Sequence, residues 1–369
     1  MIRKIRIQNF RSLHDVTVEL EPLTVLIGRS GTGKSNFVKA IRALRQTLQS
    51  RNLSFISDVA NRPGRNFQNK QNGTQPLEQS IDVSYTIPRL KGEQNYYLVL
   101  KSEGSGISIL SEALQQNGDF IFENSNKPRL ELGNHTELRA STFAFKYLTQ
   151  QIGCYDFPGN VLEQTNVPSR QIPEAGFVDR GVNYQDTART IYENSSEPYA
   201  WDSIKGTMRL INPNSTSLKI DQSEKRSLLV VGYRDHENEI FQDVAQESEG
   251  YRRYLAHLLA VYQNPSKDVL IFEHPEMGIH PSALQGLANE FQNHVGRGRG
   301  QIIITTHSPQ LLDYFEPEQI RVVEIVNQET RIGKLAPEQF ESLKEKLLIP
   351  GELLTVDAAR VADLATNSP

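Results

Sequence analysis

The sequence predicts an α/β fold with a mostly parallel core sheet, an antiparallel β layer and an inserted β-rich and helical lobe. Three observations lead there. Leu23–Ile27, Val269–Phe272 and Ile302–Ile304 are unbroken apolar runs of strand length, as expected of strands covered on both faces. Helical periodicity follows the first two: Phe37, Val38, Ile41, Leu44 and Leu48 share one face, and a second helix is expected over Ser282–Val295. Between these ends, Ile81 to Leu132 alternates apolar and polar residues in short segments divided by Gly, Asn and Ser, the pattern of antiparallel meanders.

The remaining elements follow in order. Ile2, Ile5 and Ile7, then Val16, Val18 and Leu20, alternate as strands. Residues 49–80 turn polar and rich in Asn, Gln, Arg and Gly, and read as an exposed or partly disordered insertion. Strands are expected at Ile81–Ile87, Tyr96–Lys101, Gly106–Leu110 and Asp119–Glu123, and a helix over Phe143–Ile152. Phe157–Ser195 reads as irregular. Tyr199–Ile211 is a helix stopped by Pro213, and Ser217–Ile220, Ser227–Tyr233 and Ile240–Val244 are strands with a turn at Asp235–Asn238. Tyr254, Leu255, Leu258, Leu259 and Tyr262 form the stripe of a helix over Tyr251–Tyr262. Buried strands follow at Gln301–Thr305 and Arg321–Val326. The expected division is 1–48 and 241–357 as the two halves of one head, 49–80 as the polar insertion, 81–240 as β layer and lobe, and 358–369 as a tail.

With 369 residues and a formal net charge of −4, the chain has ample core and lacks the basicity that marks a general nucleic-acid binder, although its 40 Lys and Arg leave room for a local basic face. Its single cysteine, Cys154, excludes an internal disulfide and a cysteine-based metal site, and suits a reducing cytoplasm. No apolar run nears the roughly 18 residues of a membrane span, and no signal peptide is expected.

Chemistry concentrates in four places. Gly28-Arg29-Ser30-Gly31-Thr32-Gly33-Lys34-Ser35 is a full GxxxxGK[ST] phosphate loop between an apolar strand and a helix. Its glycines let backbone N–H groups turn inward around a phosphate chain, Lys34 supplies a point charge, and the Ser35 hydroxyl is a Mg²⁺ ligand. The helix start adds its positive dipole end. Glu273 stands at the tip of Val269–Phe272, before His274-Pro275-Glu276, where a carboxylate holds Mg²⁺ directly or through water. Thr306-His307-Ser308-Pro309 ends the next buried strand, where a histidine can approach a γ-phosphate. Glu247-Ser248-Glu249-Gly250 opens the Tyr251 helix, and Ser248, the Gly250 amide and the dipole make a second anion corner. Two phosphate corners suit two subunits packed head to tail around nucleotide. The phosphate loop lies more than 200 residues before the later motifs, so one nucleotide site is expected to draw on both chain ends.

Together with Asn9-Phe10-Arg11-Ser12 and Gly278-Ile279-His280-Pro281, these motifs stand in the order of ABC-type ATPases. Over roughly Met1 to Asp357 the chain resembles their RecF/SMC/OLD-like branch, the prokaryotic predicted AAA ATPases. That resemblance implies a P-loop NTPase head of ABC type, with ATP and Mg²⁺, in which ATP lies between two heads. It assigns phosphate binding to Gly28, Arg29, Ser30, Gly31, Thr32, Gly33, Lys34, Ser35 and Asn36, with Arg11 near the nucleotide. It assigns the metal to Ser35 and Glu273, the partner's γ-phosphate to Ser248 and Gly250, and the switch histidine to His307. The usual acid-Glu-Pro-Glu order reads Glu273-His274-Pro275-Glu276 here. His274 thus replaces the glutamate that polarises the attacking water. A neutral imidazole accepts a proton but lacks fixed charge, so hydrolysis is expected to be slow but real, with Glu276 as a further participant. Glu247 stands where leucine is common, and Glu249 where glycine or aspartate is. No glutamine, Gln75 and Gln79 included, stands out as the Q-loop residue. His280 either caps the Ser282 helix or joins a dimer contact, and Arg252 and Arg253 read as helix-surface charges or, from their place beside Ser248, as phosphate or partner contacts.

The expected function is an Mg-ATP-dependent, homodimerising cytoplasmic ATPase, with DNA or a separately encoded effector protein as partner, in DNA maintenance or phage defence. Its rival is an ATP-sensing scaffold with little hydrolysis. A transporter subunit is disfavoured by the inserted lobe, and a small-molecule kinase by Ser248–Gly250 and His307. OLD-type enzymes add a nuclease domain and SMC proteins a long coiled coil; about 60 residues follow His307 and no heptad array appears, so neither addition is expected.

Overall fold

The computed structural model describes residues 1–51, 53, 77–88, 90–103, 106–125, 130–135, 137–163, 176–194, 197–224 and 226–362. The first elements are β1 (Ile2–Phe10), β2 (Leu13–Glu19), β3 (Leu23–Ile27), α1 (Lys34–Ser50), β4 (Leu77–Thr86), β5 (Glu93–Glu103), β6 (Gly106–Gln116) and β7 (Asp119–Ser125). Next come α2 (Arg139–Gln150), β8 (Ile152–Tyr155), α3 (Gly159–Leu162), α4 (Tyr184–Tyr192), α5 (Tyr199–Ile211), β9 (Ser215–Glu224), β10 (Arg226–Asp235) and β11 (Asn238–Asp243). The last are α6 (Glu249–Tyr262), β12 (Val269–Glu273), α7 (Pro281–Gly296), β13 (Gln301–Thr305), α8 (Pro309–Leu312), β14 (Ile320–Val326), β15 (Glu329–Gly333) and α9 (Pro337–Lys344). The chain divides into two compact units, Met1–Ile152 with Phe315–Pro369, and Gly153–Tyr314.

In the first unit, β1 and β2 form a hairpin closed by Arg11 and Ser12, with Phe10 opposite Leu13. Ile5, Ile7, Val16 and Val18 are buried while intervening residues face solvent, so alternation drives one face into the core. An antiparallel sheet runs β2-β1-β4-β5-β6-β7, the predicted meander joined by the N-terminal strands. Tyr85 of β4 stacks on Tyr147 of α2 with centroids 4.9 Å apart. Arg45 and Gln49 of α1 donate to the carbonyls of Ile152 and Thr149. All five residues of β3 are buried. It pairs in parallel with β14, Ile27 opposite Val322, and β14 pairs antiparallel with β15. Arg321 is only 2% exposed. Its guanidinium donates to the carbonyls of Glu19, Glu318 and Ile320 and pairs with Glu21, which fixes β14 against the β2–β3 link.

In the second unit, β12 and β13 are parallel, Phe272 opposite Ile304 and Glu273 opposite Thr305, and β8 lies on the far side of β12. Aromatic rings fill the space beside them: Phe272 stacks on Tyr155 and Phe291, and the buried His257 ring packs against Phe157 and Phe272. Nearly every residue of α6 is buried, because α4, α5 and α7 all pack against it. A three-stranded antiparallel sheet, β11-β10-β9, completes this unit. Parallel pairs in both units bear out the α/β expectation, and the antiparallel sheets bear out the meanders.

The differences have local causes. The Phe143–Ile152 helix begins at Arg139 and stops at Gln150, and Ile152 opens β8 instead. The segment read as irregular holds α4, whose buried Tyr184, Ala188 and Ile191 make a helical stripe that polar neighbours disguise over nine residues. Residues 54–76 of the expected polar insertion, and 164–175 of the irregular segment, lie outside the described residues; β4 already begins at Leu77. Among the described residues no helix is long and apolar enough to cross a membrane.

Candidate active site

The phosphate-loop motif is built within the first unit. Gly28, Gly31 and Gly33 have φ of 150°, 82° and 113°, a backbone that side chains other than glycine adopt at a cost. Gly28 passes so close to β14 that an added Cβ would lie 2.0 Å from the Val323 carbonyl oxygen. Lys34 is 3% exposed, and its Nζ donates to the carbonyls of Gly28 at 2.7 Å and Arg29 at 2.9 Å. The Thr32 hydroxyl donates to the Arg29 carbonyl at 2.9 Å. Curled in this way, the loop closes around its own lysine and leads straight into α1. That helix starts at Gly33 with no side-chain cap and no acidic residue in its first turn, so its N-terminal amides stay available for an anion.

Two residues outside the motif hold it. Ser12, at the tip of the β1–β2 hairpin, accepts through Oγ from Asn36 Nδ2 at 2.8 Å, and its hydroxyl bonds with that of Thr330 at 2.8 Å. Thr330, on β15, also donates to the Thr32 carbonyl at 2.8 Å, and its amide donates to the Ser12 carbonyl at 3.1 Å. A Cβ on Gly33 would lie 2.5 Å from the Thr330 hydroxyl. Thr330 was invisible to the sequence reading, since β15 was not predicted and no motif marks it. Ser12 belonged to a quoted motif but had no assigned task. Asn36 engages Ser12 from the flank of α1. Arg11 sits in the hairpin turn with φ 56°, while Arg29 and Ser30 are exposed at the loop tip.

The strand-tip motifs come together in the second unit. Glu273 and His274 are half-buried at the end of β12. The His274 amide donates to the Thr305 carbonyl at 2.9 Å and its φ of 50° turns the chain away from the strand. Its ring lies flat on the ring of His307, with centroids 4.9 Å apart and planes 5° from parallel. Glu276 serves both histidines: Oε1 accepts the His307 amide at 2.9 Å and stands 3.7 Å from His274 Nδ1. Burial pushes the Glu276 carboxyl up, but the nearby His274 ring and the hydrogen bond from the His307 amide outweigh it and hold the group below its ordinary value. The carboxylate is therefore charged at neutral pH. His307 itself is exposed, and the Ser308 hydroxyl caps α8 by accepting the Leu311 amide at 3.1 Å.

The signature segment packs beside the same turn. Ser248 is exposed and caps α6 by accepting the Tyr251 amide at 3.3 Å. A Cβ on Gly250 would lie 2.5 Å from the Gly278 carbonyl oxygen, and Arg253 donates to the Met277 carbonyl at 3.3 Å. Small size at Gly250 thus lets the helix start press on the loop after Glu276. His280 caps α7, its Nδ1 accepting the Ser282 amide at 3.3 Å. Arg252 departs from its reading as a surface charge. It is 7% exposed, and its guanidinium holds the carbonyls of Ala245 and Glu247 and the carboxylate of Glu163.

For a triphosphate the fit is good: positive-φ glycines, an uncapped helix start and a lysine confined within the loop. Within the first unit the half-buried Ser35 hydroxyl, and within the second the half-buried Glu273 carboxylate, each have the hard oxygen chemistry that Mg²⁺ takes.

Comparison with known proteins bears on the family and the fold. The sequence profile of the family described as "AAA domain, putative AbiEii toxin, Type IV TA system" matches residues 23–313. An OLD nuclease of Thermus scotoductus is 23% identical over 347 residues, covering 88% of this chain; the chain spans 62% of that enzyme's length. Among solved structures, an Smc head bound to the C-winged helix domain of ScpA superposes with a TM-score of 0.62 at 12% identity, covering 92% of this chain and 99% of the other. An Smc head with an extended coiled coil, bound to the C-terminal domain of ScpA derived from Pyrococcus furiosus, gives 0.60 at 11% identity, covering 94% and 99%. These two show a shared fold. The family match takes in the phosphate loop, the signature segment and both strand tips in one span, so the chain belongs to this AAA domain family and is an ABC-type P-loop ATPase of the RecF/SMC/OLD-like group.

Proposed function

We propose that this ATPase binds Mg-ATP, dimerises head to tail around it, and hydrolyses it slowly. The observation that carries the reading is the phosphate loop, with Lys34 Nζ bonded to the Gly28 and Arg29 carbonyls at the mouth of an uncapped helix. Lys34 and the amides of Gly31 to Ser35 neutralise and orient the phosphates, and Arg11 stands nearby on the hairpin tip. Ser35 and Glu273 would hold Mg²⁺, which when bound would offset phosphate charge. His274 accepts the proton of the attacking water. The Glu276 carboxylate, 3.7 Å from Nδ1, keeps that imidazole oriented, while His307 reaches toward the γ-phosphate. Ser248 and Gly250 cap the γ-phosphate of the partner copy, so two heads close on ATP and separate after hydrolysis. In this scheme residues 1–48 and 241–357 are the head and 81–240 its β layer and lobe.

The toxin of a toxin–antitoxin system in the family description and the OLD nuclease relative favour a role in phage defence, with DNA maintenance as the neighbouring process. The partner is DNA or a separately encoded effector, on family analogy. A second reading, an ATP-sensing scaffold, draws on the flat His274–His307 stack, which confines the one ring available as a base.

Phosphate release by wild type, Lys34→Ala and His274→Glu decides between them. The ATPase reading expects release above the Lys34→Ala background and a gain with His274→Glu. Release equal to that background, with ATP still bound, supports the scaffold. Absence of ATP binding in calorimetry refutes both. Light scattering of His307→Ala protein is expected to show an ATP-dependent doubling of mass that Ser248→Arg abolishes.

A further inference from the structure

Glu247 replaces the leucine common at the head of the signature segment, and the reaction proposed above gives its carboxylate no task. It is 9% exposed, and its Oε1 accepts the Tyr233 hydroxyl at 2.6 Å. The Tyr233 oxygen in turn accepts Asn212 Nδ2 at 2.9 Å. Asn212 lies at the end of α5, where its carbonyl accepts the Ser215 amide at 3.0 Å and so ties it to the start of β9. On the other side, the Glu247 carbonyl accepts from Arg252, which also holds the Ala245 carbonyl at 3.0 Å and Glu163 at 2.9 Å. Residues 245–247 are therefore gripped twice, by β10 through a side chain and by α6 through the main chain. The next residue is Ser248, exposed at the helix start. Burial first, and then the bond to the carboxylate, push the Tyr233 hydroxyl above its ordinary value, so it remains a donor through the neutral range. A leucine would fill the space but leave that hydroxyl without its acceptor, and apolar packing fixes no direction.

We propose that Glu247 is a positioning residue for the signature serine: the Asn212–Tyr233–Glu247 chain sets where Ser248 stands and couples it to the β9–β10–β11 sheet. This rests on the reading that Ser248 completes the nucleotide site of a partner copy. The loss of either end of the Tyr233–Glu247 bond then weakens turnover without weakening the hold of the phosphate loop on ATP.

The test uses the full chain and compares Tyr233→Phe, Glu247→Leu, Glu247→Gln and Ser248→Arg. Phosphate release gives kcat and KM, a fluorescent ATP analogue gives affinity, and ATP-dependent mass by light scattering is read in parallel. Tyr233→Phe and Glu247→Leu are expected to lower kcat about tenfold, with KM and analogue affinity changed less than about twofold. Glu247→Gln keeps an oxygen for the tyrosine and is expected to retain at least about half of kcat. Mixing either impaired variant with Lys34→Ala protein restores release, because each mixed dimer then holds one intact composite site.

Wild-type kcat in Tyr233→Phe beside an inactive Ser248→Arg overturns the proposal alone. So does Glu247→Gln as weak as Glu247→Leu, or a loss confined to KM. So does failure of the mixtures to recover when the Ser248→Arg mixture does. Full activity and normal ATP-dependent mass in Ser248→Arg overturn the shared-site reading, and this proposal with it.

Discussion

Replacing Gly28 by alanine tests whether the phosphate loop is held by β14 or only by its own turns. The added Cβ would stand 2.0 Å from the Val323 carbonyl oxygen, 3.0 Å from its carbon and 3.2 Å from the Thr32 hydroxyl. A normal carbon–oxygen contact needs over an ångström more than the shortest of these. Val323 cannot yield cheaply, because β14 is paired on both sides, Val322 with Ile27 of β3 and Val323 with Ile332 of β15. Overpacking against fixed backbone costs about 1–3 kcal/mol. The φ of 150° adds backbone strain of about 1–3 kcal/mol. Gly31 is the control: its φ is 82°, but nothing lies within 4 Å of an added Cβ. Gly31→Ala therefore bears only the conformational term, about 1–2 kcal/mol. For a unit of about 200 residues each kcal/mol moves the midpoint by about 2–4 °C. Scanning calorimetry without nucleotide is expected to show a drop of about 10 °C for Gly28→Ala and about 4 °C for Gly31→Ala. Equal shifts, or wild-type melting of Gly28→Ala, would refute the close approach to β14.

Three further outcomes are expected. His257 and His294 are buried imidazoles held down to about 4, chiefly by burial, so below about 6.5 the unfolded chain takes protons that the folded unit refuses. Stability is then lost as pH falls from about 6.5 toward 4, by about 3 kcal/mol per histidine, and His257→Leu should flatten the melting temperature against pH; parallel curves would contradict this. Arg252→Ala leaves the Ala245 and Glu247 carbonyls without this donor and should cost about 2–4 kcal/mol. Arg253→Ala removes a pair with the half-exposed Glu249 and one long bond to the Met277 carbonyl, and should cost less, about 1–2 kcal/mol, in the same urea titration. Gly250→Ala drives a Cβ into the Gly278 carbonyl and is expected to reduce phosphate release roughly a hundredfold while the ATP analogue still binds.

The candidate nucleotide motifs were legible because each is contiguous. A phosphate loop is encoded by glycines within eight residues of one another, and a strand tip by an apolar run ending in a carboxylate or histidine. Strand and helix periods carried the core for the same reason: burial repeats every two residues, or every three to four, without reference to distant chain. The parallel pairing of β12 with β13, the meander β4 to β7 and α5 follow from that local code. Short or polar-rich elements such as α4 and β15 did not, since five to nine residues hold too few repeats of either period.

What only tertiary structure decided are the side-chain tasks that join residues far apart in sequence. Ser12 and Thr330 meet across 318 positions to brace Gly33 and Thr32. Arg252 and Arg253 are neighbours of identical chemistry on one helix, yet one holds Glu163 and the Ala245 and Glu247 carbonyls while the other reaches Glu249 and the Met277 carbonyl. His274 and His307 become a stacked pair only because β12 and β13 run parallel and in register, which brings their tips side by side. Sequence alone marked the candidate groups for phosphate, because backbone conformation and charge are local properties. Which groups hold those in place was settled by strand register and burial, because hydrogen bonds act over about three ångströms whatever the distance along the chain.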